Sequence, residues 1–488
     1  LISSGSQSFS SGTTVRLNYD YTITPRLLLH TGIGWNDNDF MLTALVDNYN
    51  AATELGLKGG LTSKYFPVVL TSASTNNSIG GMSQLGNSGP TASFDRRPSL
   101  TASASYVTGG HTVKMGIDYR IEKFPQFIDA LSQGQYTFGT AMTEQPSLIG
   151  ATLNNGFVGF QFASFLLGGA SNVTMNAPIA LAAIKSQTGL YVQDTWKVTR
   201  KLTLDYGLRW DYGTYAHEQY GRNSSIGLLV PNPSASNRLG AAQFEQTCSC
   251  KFASNYPYAI GPRLGAAYQI NSKTVLRLGG GVFYERVATF GPGITSNYTT
   301  NPPSLRQATL YYGNVANIAT TAGTFFPTAI NRLSEDGHIP TTYNYNAGIQ
   351  RELPNKLFLE VSYVGAQNRH LWLAQPLNQA PFGSAWLPYS QDPTTTAKFD
   401  GSTNLPVNMY RPYAGYTSAG ADYTWGTSTN YNALQFSLQR RYGALQFGTS
   451  YTWSKALGVG VGHQTNTRAF GYGPLPQDRT QSLQFNYI

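Results

Sequence analysis

The chain has 488 residues, of which Asp, Glu, Lys and Arg make 12%, about half the share in globular proteins, while aromatics reach 13% and the formal net charge is +9. A disordered chain is poor in aromatics and a large soluble protein needs a charged surface, so neither class fits. The longest apolar run, Ala177 to Ile184, covers eight residues and contains Pro178, whereas a membrane helix needs about 20, so helical spans are excluded too.

Length alone points to about three domains. The chain opens at Leu1 with no Met, basic n-region or apolar h-region, so a signal peptide is expected upstream or already removed, and the sequence reads as a fragment. Basic residues are scattered singly or in pairs, so no nucleic-acid partner is expected.

Strict apolar/polar alternation, the mark of a strand with two unlike faces, begins with Val15, Leu17, Tyr19, Tyr21 and Ile23. It resumes in phase at Leu27, Leu29, Ile33 and Trp35 after the loop Thr24-Pro25-Arg26. Five further hairpins follow. Leu100 to Tyr106 answers Val113 to Ile121 across Gly109-Gly110, and Leu190, Val192 and Trp196 answer Leu202 to Tyr212. Leu264 to Ile270 answers Leu276 to Tyr284 across Asn271-Ser272-Lys273, and Tyr343 to Ile349 answers Leu357 to Tyr363 around Pro354-Asn355. Leu434, Phe436 and Leu438 answer Leu445, Phe447, Tyr451 and Trp453 across Tyr442-Gly443, and Leu483, Phe485 and Tyr487 form a lone last strand. Residues opposite one another in a hairpin share a face. Loop parity therefore has to match the parity of the apolar sets: an odd loop for the first hairpin, even two-residue loops at Gly109-Gly110 and Tyr442-Gly443.

The turns fall near residues 25, 110, 199, 272, 354 and 442. Short turns join the strands on one side, while long stretches rich in Gly, Asn, Ser, Thr and Pro join the hairpins on the other. Compact soluble domains rarely carry such loops, and propeller blades repeat every 40–45 residues or so. Short periplasmic turns with long extracellular loops are the plan of a transmembrane barrel. The ten steps from Leu202 to Tyr212 rise about 25 Å along the membrane normal at a tilt near 40°, the height of a barrel's apolar band. Trp196 at the turn end, Trp210 and Tyr212 at the loop end, and Trp453 are read as membrane-interface aromatics. The fold class is all-β: an antiparallel outer-membrane barrel, partial, with thirteen strands legible, and residues 1–488 belong to one barrel domain rather than three.

YVQDTWKVTRKLTLDYGLRWDYG at 191–213 resembles the barrel of TonB-dependent outer-membrane transporters of the Oar-like group. FASFLLGG at 162–169, GPRLGAAYQI at 261–270, KTVLRLGGGVFYER at 273–286, the segments at 343–372 and 431–457, and PLPQDR at 474–479 are similar to the same group. The resemblance implies a barrel of about 22 strands with a plugged lumen. It also implies a plug, a TonB box and a carboxypeptidase-regulatory-like domain upstream, and further strands after residue 488. TonB and its inner-membrane motor are then the expected partners, with outer-membrane lipid and lipopolysaccharide around a monomeric barrel and an unidentified ligand at its extracellular loops.

No catalytic constellation is present, and neither an enzyme activity nor a cofactor is expected. The His residues at 30, 111, 217, 338, 370 and 463 show no metal-ligand spacing. Gly279-Gly280-Gly281 lies inside a strand, where Gly marks a kink or a close contact. Cys248 and Cys250 are two soft ligands without a nearby His, so a local disulfide, or loop cysteines with no special role, is the favoured reading over a metal site. The polar parity carries Lys114, Asp118, Arg120, Asp205, Arg209, Asp211, Arg263, Arg277 and Glu285. Ion pairing among strands and with a plug is one reading of these. The sharper one makes Arg209, Arg263 and Arg277 a path for anionic solutes, with Asp205 and Asp211 as further solute or plug contacts. Basic residues also gather at the short turns, at Arg26, Lys197, Arg200, Lys201, Lys273, Lys356, Arg440 and Arg441. An active transporter is the leading function; an adhesion or signalling barrel and a passive porin are the alternatives.

Overall fold

A computed structural model describes residues 4–58, 64–71, 83–140, 142–144, 159–250, 252–285, 307–318, 331–333, 338–413, 416, 420–443, 445–459 and 471–488. His463 lies outside them. Six hairpins supply twelve long strands: β1 (Ser6–Thr24) with β2 (Leu27–Ala44), β3 (Thr91–Thr108) with β4 (His111–Ile128), β5 (Ile179–Lys197) with β6 (Leu202–Gly213), β7 (Ala259–Asn271) with β8 (Thr274–Tyr284), β9 (Thr341–Leu353) with β10 (Leu357–Pro376), and β11 (Ala421–Arg440) with β12 (Phe447–Val459). A last strand, β13 (Gln481–Tyr487), pairs with the free edge of β12, which Tyr472–Pro474 extends. Each long strand is antiparallel to the next, so one sheet runs from β1 to β13 in chain order. Among the described residues β1 and β13 are not paired with each other.

The register follows the apolar parity. Ala102 faces Ile117, Leu190 faces Trp210, Ala266 faces Leu278, Ile349 faces Val361 and Phe436 faces Tyr451. Three turns differ from the sequence reading. In the first and fourth hairpins the odd loop is a two-residue turn plus a bulge: Thr24 pairs with Leu27 and Asn271 with Thr274, leaving Ile23 and Ile270 as the extra residues. In the sixth hairpin Tyr442-Gly443 is not a two-residue turn. Arg440 pairs with Phe447, which leaves Leu445 outside the strand and keeps the even parity through a longer loop.

The apolar parity faces outward without cover: Leu17 is 69% exposed and Leu264 68%, and Ile33, Val192, Leu208 and Phe485 are also exposed. A continuous apolar wall of this size is stable only against hydrocarbon. The strands overshoot that wall. β10 and β11 have 20 residues and β1 and β5 have 19, where a span takes about 9–11. Beyond the band the alternation lapses, with Asp37 and Arg96 paired at 3.7 Å on the outward parity.

The long loops have interiors of their own, which their composition does not announce. Val68–Thr71, Gln135–Phe138, Gly169–Asn176 and Gln307–Asn314, from three different loops, form a four-stranded sheet. Its core buries Tyr136, Phe138, Val173 and Leu310 against Ala51 and Ile318. The hairpin of Ser224–Asn232 and Arg238–Phe244 packs Ile226 on Tyr416, whose hydroxyl donates to the Gly240 carbonyl at 2.8 Å.

Candidate functional site

The inward parity of β4 to β8 forms a charged wall. Asp118, Gly189 and Asp211 lie in one row across β4, β5 and β6. Arg209, one rung closer to the turn, reaches over Gly189 to both carboxylates: its Nη1 is 3.0 Å from Asp118 Oδ2, and its Nε donates to both Asp211 oxygens at 2.9 Å. A Cβ on Gly189 would stand 2.1 Å from Arg209 Nη2, so the guanidinium in this position lies over a residue with no side chain. Arg263 lies over the Phe283 ring at 4.8 Å, next to the bare backbone of Gly261 and Gly281. Among the described residues no carboxylate pairs with Arg263 or with Arg277, and both are exposed. Asp205 accepts from Thr195 Oγ1 at 2.6 Å. Arg209, Asp211 and Arg263 thus share one cleft of about 280 Å³, while Arg277 stands apart from it beside Gly348.

Toward the loops this wall becomes buried. Glu122 and Lys185 face each other across β4 and β5 at 3.1 Å, 2% and 1% exposed, with Arg120 3.6 Å from Glu122. Above them Ile179, Leu181 and Ala183 of β5 cluster with Ala216 and with Tyr423 of β11, which stacks on Trp372. β5 and β11 are far apart in sheet order, so this apolar cluster bridges the curled sheet at its loop end. In the loop beside it Glu218 is fully buried. Burial pushes its carboxyl up, but the Arg222 guanidinium at 2.7 Å and the amides of Arg222, Ala182 and Tyr220 outweigh that and hold it below the usual range. Glu245 nearby is pushed up, by burial first and then by the charge of Glu218.

Two histidines that the spacing kept apart are neighbours. His338 and His370 stack with centroids 4.4 Å apart, and Tyr256 lies 5.9 Å from His338. The clue was the fifth hairpin's register, which pairs Thr341 with Arg369 and brings the residues just beyond it together. Among the described residues no group of three His, Cys, Asp or Glu is placed to hold a metal ion. Cys248 and Cys250 are joined in a disulfide with a Cα–Cα distance of 5.1 Å, so neither offers a thiolate. Trp196 stacks on His111 at the turn end. At the loop end Trp210 stacks on Tyr212 and donates to the Pro257 carbonyl at 2.8 Å, and Trp453 is exposed on β12.

A family model described as outer membrane beta barrel domain matches residues 2–488. The chain belongs to this outer-membrane β-barrel family. The barrel is therefore an integral protein of the bacterial outer membrane. No curated protein matches it. Among solved structures, the outer-membrane transporter YddB from Escherichia coli is 12% identical, with a TM-score of 0.47 over 93% of this chain and 43% of that one. The ferric-catecholate import receptor Fiu from E. coli K12 is 13% identical, with a TM-score of 0.44 over 99% of this chain and 52% of that one. The siderophore receptor PiuA from Acinetobacter baumannii is 12% identical, with a TM-score of 0.44 over 98% and 52%. The chain spans about half the length of the solved structures it matches.

Proposed function

We propose that the chain is the barrel portion of a TonB-dependent outer-membrane receptor that takes up a ligand bound at its extracellular loops through a plug-gated lumen. The observation that carries this reading is the open sheet. Thirteen strands in one antiparallel sheet leave both edges unpaired among the described residues, and a sheet of this kind carried on to about 22 strands would enclose a lumen of the size that holds a plug. The resemblance of the segments at 191–213 and 343–372 to the Oar-like group supports the same reading. On it, a plug with a TonB box and a carboxypeptidase-regulatory-like domain precede the barrel, and further strands close it. The one-sided loops, folded around their own core, are the surface that meets a ligand first.

Within the lumen we assign Arg209 to structure and Arg263 and Arg277 to passing anions. Arg209 is neutralised by two carboxylates, whereas the other two present an unpaired guanidinium beside bare glycine backbone. The test has two arms. Uptake by cells carrying the full-length protein is compared with and without TonB, and ligand-independent or TonB-independent uptake overturns transport in favour of a porin, while binding with no uptake favours an adhesin. In the second arm the Arg263→Gln, Arg277→Gln double variant slows uptake of anionic candidates at least tenfold, and unchanged uptake of all of them sinks the anion path.

A further inference from the structure

Cations at the two ends of the strands keep different company. Toward the loops they meet carboxylates: Arg96 with Asp37, Arg97 with Asp95, Lys185 with Glu122, Arg332 with Asp422 and Lys455 with Asp478. At the short turns they do not. The turn between β5 and β6 carries Lys197, Arg200 and Lys201, and that between β7 and β8 carries Lys273. Arg351 and Lys356 flank the turn between β9 and β10, and Arg440 and Arg441 open the one between β11 and β12. All but the half-buried Arg440 are exposed. Among the described residues only Lys356 has a carboxylate within reach, Glu352 at 4.0 Å, and no other acidic residue lies in these four turns. Asp194, two residues before Trp196 on the outward parity, is buried and already engaged: its Oδ2 is 2.6 Å from His111 Nδ1 and accepts from the Tyr206 hydroxyl at 2.8 Å.

The four turns are contiguous. The Gln269 amide donates to the Lys201 carbonyl and the Glu352 amide to the Lys273 carbonyl, each at 2.8 Å, and Leu357 pairs with Arg440. Neighbouring turns are two strands apart, about 10 Å, so the cations form one positive band along the rim. Its position decides what it faces. Arg351 follows Ile349 on the outward parity of β9 and pairs with Leu359, while Arg440 follows Leu438 on that of β11 and pairs with Leu357 and Phe447. Both guanidinium groups therefore stand on the lipid side of the wall at its turn end, which a protein approaching from the periplasm does not reach. Long basic side chains there lay their stems along the apolar wall and carry their charge to the headgroup layer, the level that Trp196 marks on β5.

We propose that this rim binds anionic phospholipid of the periplasmic leaflet, with headgroup phosphates accepting from Arg351, Arg440 and the cations of the adjoining turns. A cation with no carboxylate of its own gains most from a surface of net negative charge, by about fivefold for each Lys or Arg near it. A zwitterionic headgroup also carries a phosphate, but its own cation is repelled by the rim. The contact holds the barrel at one depth, with its turns in the phosphate layer. It is the same whether the barrel transports, adheres or conducts.

The test places the full-length protein in phosphatidylcholine vesicles with spin-labelled phosphatidylglycerol or spin-labelled phosphatidylcholine and reads the motionally restricted fraction of each label by electron paramagnetic resonance. Only one leaflet's half of the lipid shell meets the rim, so a fivefold preference there averages to about threefold for the glycerol lipid at low salt. It should fall to near unity in 1 M NaCl, where the screening length is about 3 Å. Exchanging all the rim cations for Gln should abolish the preference, and Arg351→Gln with Arg440→Gln should lower it to about twofold. Arg238→Gln with Lys398→Gln, in the long loops, should leave it unchanged. Equal association of the two lipids with the unaltered protein overturns the proposal, and is the outcome if the rim serves an acidic protein instead. A preference that persists in 1 M salt, or that survives the exchange of the rim cations, overturns it as well. The lipid and salt comparisons need no variant, so they stand even if a substitution prevents folding.

Discussion

The buried pair of Glu122 and Lys185 makes a two-sided test of the packing. Both side chains are at most 2% exposed, so each charge has lost its water and relies on the other. Removing one partner of such a pair costs about 3–5 kcal/mol, whereas replacing both by apolar residues of similar volume is often neutral or stabilising by about 1–4 kcal/mol. The two single variants should differ. Lys185→Met leaves Glu122 with Arg120 at 3.6 Å, a partial substitute. Glu122→Leu leaves the Lys185 ammonium facing the like charges of Arg97 and Arg120. Loss of stability is therefore expected to be larger for Glu122→Leu, toward about 5 kcal/mol, than for Lys185→Met, toward about 3 kcal/mol, with the double variant within about 1 kcal/mol of the unaltered protein. Urea unfolding of the full-length protein in phospholipid vesicles, followed by tryptophan fluorescence, measures all three. Additive losses in the double variant would refute the reasoning, because they would mean that the two charges do not depend on each other.

Gly189→Ala should destabilise by about 1–3 kcal/mol, since the new Cβ meets the Arg209 guanidinium at 2.1 Å, and the same substitution should cost little further stability in an Arg209→Ala background, where there is no guanidinium to displace. Tyr136 is fully buried, its hydroxyl has no partner among the described residues, and burial alone pushes its ionisation up to about 12. Tyr136→Phe should therefore raise the stability of the loop sheet by about 1 kcal/mol by hydrogen exchange, whereas Phe138→Ala should lower it by about 3–5 kcal/mol. The Asp478 carboxyl is held below its usual range, first by the Lys455 ammonium at 2.6 Å and then by the Ala456 amide at 2.8 Å. A lowered value means that its hold on the segment before β13 is complete above its unfolded value of 3.8 and fades as pH falls below that. Exchange of the Ser454 and Ala456 amides should accelerate below about pH 4, and Asp478→Asn should remove the pH dependence.

The sheet was legible in the sequence because hydrocarbon demands one thing of every residue on one parity. Leu190, Val192, Leu204 and Leu208 meet that demand, and loop parity then set each pairing. The charged wall was legible as a set of residues but not as a set of contacts. Nothing in the order of Asp118, Arg209 and Asp211 says that one arginine takes both carboxylates; that follows from Gly189 lying between them in the row. Glu122 and Lys185 were missed for another reason. The alternation was followed only from Leu190 and as far as Ile121, yet the pairing of His111 with Trp196, continued rung by rung, puts Glu122 opposite Lys185. The loop sheet had no such handle. Val68–Thr71 is four residues long and pairs with Gln135–Phe138 from another loop, so neither period nor turn chemistry marks it.

The same physics explains why the pattern fades where it does. Alternation is required only over the ten or so residues that hydrocarbon touches, and the strands run on to 18 or 20. In those outer reaches a residue answers to its particular neighbours: Ile179 and Leu181 turn apolar faces inward to meet Tyr423, and Glu122 goes inward to meet Lys185. Departures from parity inside the hydrocarbon band are a different matter, because there every residue on the outward face has the same solvent. Asp194 is a departure at the turn-end edge of that band, and it is met within the wall by His111 at 2.6 Å and the Tyr206 hydroxyl at 2.8 Å. An inward exception near the loops is explained by its neighbours across the curled sheet, and an outward carboxylate at the turn end is explained by the imidazole and hydroxyl that meet it on the adjoining strands.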